Sequence, residues 1–336
     1  MSATIKDIAH ALGITHSTVS RALNGKTGVS PVLRKKIIAT AEKLGYSPNA
    51  IARGLVMKQS MTIAFIVPDF SNPFFVEIAH AVNSTASARG FNTIMCDTLW
   101  SHQEELQQIK LMSEKRVDGI IIKSFGDDDS HLLSLGIPVV KLNPALDPEI
   151  SSIDIDNVLG AYKATEHLIQ CGYEHIAYIG STQDAQTTEG RLKGYHSAMK
   201  KYHRRIESRL ISLGEYSLES GVHCYEKLLA TGLPFDAALC ENDMIALGVF
   251  DRALRDNKNI PDQFGLVGFD DMFFASLPMT RLTTVAQPKQ KIGEKAASLL
   301  LDLITEPEKT KNRSIVLKPE LIIRSTTRQI SGQIKI

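Results

Sequence analysis

Apolar residues follow two rhythms along this chain. Over the first 46 residues they recur every three or four positions, and from about residue 61 short continuous runs alternate with stretches of helical period. Ile5, Ile8, Ala9 and Leu12 share one face of a short helix, and Gly13 is a natural stop just past its last turn. Thr15 is placed to cap a second helix, His16 to Leu23, with Val19, Ala22 and Leu23 turned inward and Asn24-Gly25 closing it. Ser30-Pro31 opens a third, running to about Leu44, with Val32, Leu33, Ile37, Ile38, Ala41 and Leu44 as its expected buried stripe. Two short helices about a glycine-containing turn form a helix-turn-helix pattern, which leaves His16, Ser17, Thr18 and Arg21 on the outer face of the second. In such a unit the second helix enters the major groove and its N-terminal side chains meet base edges. An ordinary helical hairpin fits this pattern too.

Beyond residue 60 the strand-length runs are TIAFIV (62–67), NTIMC (92–96), GIIIK (119–123), PVVKL (138–142), HIAYIG (175–180), AALC (237–240) and FGLVGF (264–269). Amphipathic stretches lie between them at 74–89, 103–116, 158–171, 190–202 and 242–255. Runs apolar on both faces, each followed by a helix, predict an α/β body with parallel sheets covered on both sides. Its length suits two lobes better than one core.

Charge sharpens the division. Residues 1–58 hold nine of the 38 Lys and Arg but only Asp7 and Glu42 of the 37 acidic residues, a net +7 that leaves −6 on the remainder. A basic head on an acidic body is the asymmetry expected of a DNA-binding arm on a globular domain. Between them, LGYSPNAIARGLVMKQS (44–60) contains Pro48, which can start a short helix from Ala50 to Met57 with little to pack on. Isolated helices of that length are marginal in water, so ordering is expected only when two chains meet on DNA.

Eleven segments now fall into one register: TIKDIAHALGITHSTVSRALNG, VSPVLRKKI, LGYSPNAIARGL, VPDFSNPFF, KRVDGIII, GIPVV, HIAYIG, RLKGY, ENDMIALGV, LVGFDD and LTTVAQP. In order and spacing they resemble the lactose/galactose-repressor (LacI/GalR) family over residues 4 to about 326. The resemblance implies a dimeric bacterial transcription regulator, usually a repressor, that binds a pseudo-palindromic operator and answers to a small effector. It implies a helix-turn-helix head (1–46), a hinge helix and linker (47–60) and a two-lobed, periplasmic-binding-protein-like core (61–330). The N-lobe would comprise about 61–160 and 289–320, the C-lobe about 161–288 and 321–330, with crossings near 158–163, 286–290 and 318–322.

Residue roles follow from the same resemblance. His16, Ser17 and Arg21 would read bases, Arg21 being suited to guanine. Leu55 would wedge into the minor groove with Ile51 and Ala52 beside it. Asn49, Ser30 and Lys58 would hold the backbone, and Thr4, Thr15, Thr18, Ser20 and Asn24 complete the expected DNA face. His16 departs from the residue commonest at its place, so the operator is not copied from a relative.

A ligand in an open α/β sheet sits beyond the C-terminal strand ends, so two facing lobes make a cleft. Strand ends and the family pattern together nominate Asp69, Ser71, Asn72 and Phe74, then Asp97, Thr98 and Trp100, then Lys123 and Ser124. The other lobe offers Arg191, Tyr216, Asn242 and Asp270, and Gln287 lies on a crossing. Arg191 is a planar, multi-donor group for hydroxyls or a carboxylate, Asp270 an acceptor, Asn242 both. Phe74, Trp100 and Tyr216 suit the apolar face of a sugar or base, although a lone Trp also suits a helix cap or dimer edge. Lys123 and Lys141 interrupt apolar runs, and Asn143 stands where many relatives carry Asp. Each lysine either reaches solvent or an acidic neighbour such as Asp127 or Asp147, or faces an anion. On the second reading the effector is an acidic or phosphorylated sugar; a neutral sugar, a purine or nucleoside, or a phosphoprotein co-regulator are the alternatives.

Cys96, Cys171, Cys224 and Cys240 have no metal or redox spacing and read as free thiols, the ten histidines are scattered, and no metal or cofactor is expected. Asp127-Asp128-Asp129 reads as a solvated loop. No apolar leader or membrane-length segment is seen, so a cytoplasmic, nucleoid-associated protein is expected. A transport sugar-binding protein would call for an export signal and no basic head. A sugar hydrolase would need paired carboxylates, for which only Asp69, Asp97 and Asp270 stand available. The tail after Arg324 carries no leucine heptad, so a dimer is expected rather than a zippered tetramer.

Overall fold

The computed structural model describes residues 3–23, 27–46, 59–125 and 128–330. The chain forms two compact units, Met1–Ser60 and Met61–Ile336. Asn24, Asn49, Ile51, Ala52, Leu55 and Lys58, named above as DNA contacts, lie outside the described residues, as does Asp127.

In the first unit, α1 (Ile5–Leu12), α2 (His16–Leu23) and α3 (Pro31–Lys43) enclose a core of Ile8, Ala9, Val19, Ala22, Ile37 and Ala41. Local chemistry sets each end. Thr4 Oγ1 accepts from Asp7 N while Asp7 Oδ2 accepts from Thr4 N at 2.7 Å, a reciprocal cap on α1. Gly13 follows with φ 63°, a left-handed turn that a side chain resists. Thr18 N donates to Thr15 Oγ1, and Leu33 N to Ser30 Oγ with Pro31 leading the helix. The α3 stripe is narrower than its pattern predicts. Val32 is 79% exposed and Ile38 and Leu44 are exposed too. At 3.6 residues per turn, Leu33, Ile37 and Ala41 share one face, Val32 and Ile38 fall to its sides, and Leu44 caps the end.

The second unit holds two sheets. The first comprises β1 (Thr62–Val67), β2 (Asn92–Asp97), β3 (Gly119–Ile122), β4 (Val139–Lys141), β5 (Ser151–Ile155) and β11 (Ser314–Leu317), in the order β11-β5-β4-β3-β1-β2. The other comprises β6 (Ile176–Ser181), β7 (Ile211–Gly214), β8 (Ala237–Cys240), β9 (Gly265–Asp270), β10 (Thr283–Ala286) and β12 (Glu320–Ile322), in the order β12-β10-β9-β8-β6-β7. All pairings are parallel except β10 with β12. Covering helices are α4 (Pro73–Ala88), α5 (His102–Glu114), α6 (Ser130–Leu133), α7 (Asn157–Gln170), α8 (Ala185–Lys201), α9 (Leu218–Ala230), α10 (Asp243–Arg255) and α11 (Lys289–Thr305).

All seven predicted strands form, but β2 is not apolar on both faces: it is the sheet edge, and Met95 is 45% exposed. The inner face of the first lobe packs Ile63, Phe65, Ile121 and Val140 against Ile78 and Val82 of α4 and Ala296 and Leu300 of α11. In the second lobe α7 and α8 approach closely because Gly194 has no Cβ; one built there would stand 2.3 Å from the Val158 carbonyl. Helix α7 packs on strands of the second sheet, so the chain leaves the first lobe at Asp156, a few residues before the expected boundary. It crosses back between Ala286 and Lys289, and a third time between Leu317 and Glu320. In both sheets the strand order reverses at one position, β1 between β2 and β3, and β6 between β7 and β8, which is where such sheets hold ligands. No helix among the described residues is long and apolar enough to cross a membrane.

Candidate functional site

The loops beyond these reversal points close on one cavity. Asn72, Phe74, Trp100, Lys123, Arg191, Tyr216, Asn242, Asp270 and Gln287 all line it, so nine of the fourteen residues nominated from the sequence meet in space. Asp69 does not: its carboxylate turns back to accept from Ser71 N at 2.7 Å and Ser71 Oγ at 2.8 Å. Ser71, Asp97, Thr98 and Ser124 are not in the lining either. Ser124 Oγ donates to the fully buried Glu105 at 2.7 Å. A further set comes from residues the sequence did not nominate: Asp154 on β5, Asn157 at the start of α7, and Asp184 and Thr187 at the start of α8.

Two asparagines work in the same way at opposite walls. Asn72 Oδ1 caps α4 by accepting from Phe74 N at 3.0 Å, and Asn242 Oδ1 caps α10 by accepting from Ile245 N at 2.8 Å. Each cap fixes the amide's orientation and leaves its Nδ2 for the cleft. Arg191 is buried and held on three sides. Its Nε donates to Asn157 Oδ1 at 2.9 Å, Nη1 donates to the Glu241 carbonyl, and the guanidinium lies 3.6 Å from the Phe269 ring centre. Asp270 Oδ1 stands 3.8 Å from Arg191 Nη2 and accepts from Gln287 Nε2 at 2.6 Å. Asp270 has φ 111°, a strained backbone for a non-glycine residue at the end of β9. Burial lifts its carboxyl to a pKa of about 6, against the opposing pull of Arg191 and Gln287.

Behind this wall, Glu241 is buried and accepts from Thr188 Oγ1 at 2.7 Å, Ser181 N at 2.8 Å and the Tyr216 hydroxyl. Burial raises the Glu241 carboxyl, opposed by Arg191 and these donors. The carboxylate therefore braces Tyr216, a cleft aromatic.

Trp100 forms the roof. Its ring centre lies 4.8 Å from that of Tyr216 across the cleft and 5.6 Å from Phe125. Leu99 and Trp100 both take positive φ, 50° and 60°, so the side chain is presented by a strained turn.

Both lysines find acidic partners, but not the neighbours the sequence suggested. Lys123 Nζ, from the first lobe, lies 2.6 Å from Asp184 Oδ2 of the second and donates to Thr187 Oγ1 at 3.2 Å. Asn143 Nδ2 adds a second link between lobes, to Gln186 Oε1 at 2.9 Å. Lys141 Nζ lies 2.5 Å from Asp129 Oδ1, both buried, and Asp129 also accepts from Leu146 N and Asp147 N. Asp129 is thus a structural anchor and not part of a solvated loop. The cavity left between the lobes is about 60 Å³. An engineered cavity of roughly 150 Å³ holds benzene, so the space enclosed here is small for a sugar.

On the head, His16, Ser17 and Arg21 are exposed on one side of α2, with Thr18 and Ser20 half-buried beside them. Thr4, Thr15 and Ser30 cap helices, as described above.

Residues 4–49 match the family model described as bacterial regulatory proteins, lacI family. Residues 60–324 match the one described as periplasmic binding proteins and sugar binding domain of LacI family. The HTH-type transcriptional regulator RegA of Clostridium saccharobutylicum is 34% identical over 334 residues, 97% of this chain and 100% of the relative. Catabolite control protein A of Priestia megaterium is 34% identical over 328 residues, 96% and 98% of the two chains. Among solved structures, the lac repressor dimer bound to operator and the anti-inducer ONPF aligns with a TM-score of 0.86 at 25% identity, covering 98% of this chain and 100% of that one. A transcriptional regulator CelR–cellobiose complex aligns at 0.74 and 29% identity, covering 96% and 99%. A helix-turn-helix head and a two-lobed ligand cleft in one chain, matched end to end by these relatives, place the protein in the LacI family of bacterial transcription regulators.

Proposed function

We propose that the chain represses transcription as a homodimer on a pseudo-palindromic operator, and that a small polar effector in the interlobe cleft sets its affinity for that DNA. The observation that carries this is the joining, in one chain, of a basic helix-turn-helix head to a cleft whose two walls converge from separate lobes. His16, Ser17 and Arg21 take the base edges, with Thr4, Thr15, Thr18, Ser20, Asn24 and Ser30 around them. Asn49, Ile51, Ala52 and Leu55 form the hinge contacts, Leu55 being the minor-groove wedge. The protein acts in the cytoplasm, on the nucleoid.

The mechanism is a shift of population. One lobe angle lets the two 47–60 segments of a dimer fold together and bend the operator; another separates them. An effector contributes by binding one angle better than the other, typically worth about 1–3 kcal/mol. The lobes are set for such a change because Lys123–Asp184, Asn143–Gln186 and Trp100–Tyr216 all bridge them. Operator binding by the full-length protein at fixed salt, titrated with neutral sugars, sugar acids, sugar phosphates and purines, tests the reading. Specific binding that one class alters supports it; failure to bind any specific duplex ends it.

A further inference from the structure

We propose that Lys123, Asp184 and Asp154 form a subsite with one carboxylate in excess that selects the effector: a neutral ligand with adjacent hydroxyls is admitted, and a carboxylate or phosphate is turned away. The inference rests on reading the cleft as the effector site and assigns that site a ligand class.

Among the described residues two cations line the cavity, Lys123 and Arg191, against three carboxylates, Asp154, Asp184 and Asp270. Both cations are engaged within the protein, Lys123 with Asp184 at 2.6 Å and Arg191 with Asp270 at 3.8 Å. The lysine that looked available for an anion therefore has a buried partner reaching over from the other lobe. Thr187 tightens this, accepting from Lys123 and donating to Asp184 Oδ2 at 2.6 Å.

Asp154 is the carboxylate left over. It lies on β5 in the same lobe as Lys123, faces the cavity, and receives no side-chain hydrogen bond among the described residues. Its carboxyl is raised by burial, against a hydrogen bond from the Ile155 backbone and the pull of Lys123 and Arg191, whereas Asp184 is held below the usual range because Lys123 and Thr187 outweigh its own burial. An anionic ligand seated here faces Asp154 and competes with Asp184 for Lys123. A hydroxyl meets no such conflict, since its oxygen accepts from Lys123 while its hydrogen is donated to Asp154 or Asp184. Two adjacent hydroxyls use both carboxylates at once and leave the charge balance unchanged.

Trp100, the only tryptophan, is part of the cavity wall and reports on it directly. Emission of the full-length protein is titrated with glucuronate and, separately, with glucose, for the wild type, Asp154→Asn and Asp154→Asn/Asp184→Asn. The wild type is expected to ignore glucuronate. Each variant is expected to gain a saturable response to it, at least about tenfold tighter than any response of the wild type, with no matching gain for glucose. Asp154→Asn alone leaves the interlobe bridge in place and decides the matter if the double variant does not fold. A wild type that binds glucuronate as well as glucose, variants that gain nothing, or variants that gain equally for both sugars would overturn the proposal. The assay contains no DNA, so a chain that failed to bind operator would end the regulatory reading and leave this result standing.

Discussion

The Arg191 guanidinium carbon sits over the Phe269 ring, 3.6 Å from its centre, while Nε donates to Asn157 Oδ1 at 2.9 Å. The ring at the end of β9 sets the guanidinium plane and the first residue of α7 sets its rotation, so neither is left for the ligand to arrange. Such preorganisation belongs to the planar fork and not to the charge. Arg191→Lys is expected to weaken effector binding at least about tenfold while operator affinity without effector stays within about twofold. Trp100 titration and gel shift read the two quantities, and a parallel loss of both would show that Arg191 serves the fold instead.

Lys141 and Asp129 make a different kind of pair, wholly inside the first lobe. Lys141→Met strands Asp129 among apolar neighbours with only two backbone donors, and should cost about 3 kcal/mol of stability. Lys141→Met/Asp129→Asn should recover most of it, because the amide oxygen keeps those two bonds without a charge. Urea unfolding of the three proteins measures this; equal loss in the single and double variants would mean the charge is not the cause.

Acidification should act through His167. Burial holds its imidazole at a pKa of about 4, below the ordinary 6.5, with Nε2 2.8 Å from Thr327 Oγ1. Between those values the folded chain binds fewer protons than the unfolded one. Its contribution is therefore complete above pH 6.5 and is lost as pH falls toward 4, by at most about 3 kcal/mol. Asp270, raised to about 6, works in the opposite sense: the folded form holds the extra proton, and stability declines as pH rises through that window. Comparing wild type with His167→Gln isolates the histidine, and superimposable stability profiles would refute it.

At the head, Arg21→Ala should cost roughly 1–3 kcal/mol of operator affinity and relax the preference at one base pair. Binding to operators permuted base by base tests this. A uniform loss over all sequences would make Arg21 a phosphate contact.

The legible parts of this protein were those that local rules decide. Gly13, Thr15, Ser30 and the apolar faces of α1 and α2 act within a few residues, and the central strands are apolar on both sides. The sequence reading omitted β5, β7, β10, β11 and β12, where polar residues interrupt the pattern, as in SSIDI, or where one side lies at the sheet edge. Strand ends led to Arg191, Asn242 and Asp270 but also to Asp69, because a strand end fixes a neighbourhood and not where a side chain turns. Asp184, the partner of Lys123, lies 61 positions away on the other lobe, and no local pattern announces it. Its one sequence signal, an Asp three residues before Thr187, reads as a helix cap, which it also is.

The triple crossing between lobes bears on how the chain is made. The first lobe begins at β1, yet Ile292, Ala296, Leu299, Leu300 and Leu303 of α11 fill its inner face, and β11 closes its edge from residues 314–317. The second lobe has most of its sheet by β10 and is completed by β12 and by the segment after it, where Thr326 and Thr327 are buried. On the ribosome, the apolar inner face of the first lobe thus stays uncovered from β1 until α11 has been made, although the strands of that sheet other than β11 are already present. Nascent chains arrested shortly after β10 should still be cut by protease within the first lobe, where no α11 covers the apolar face.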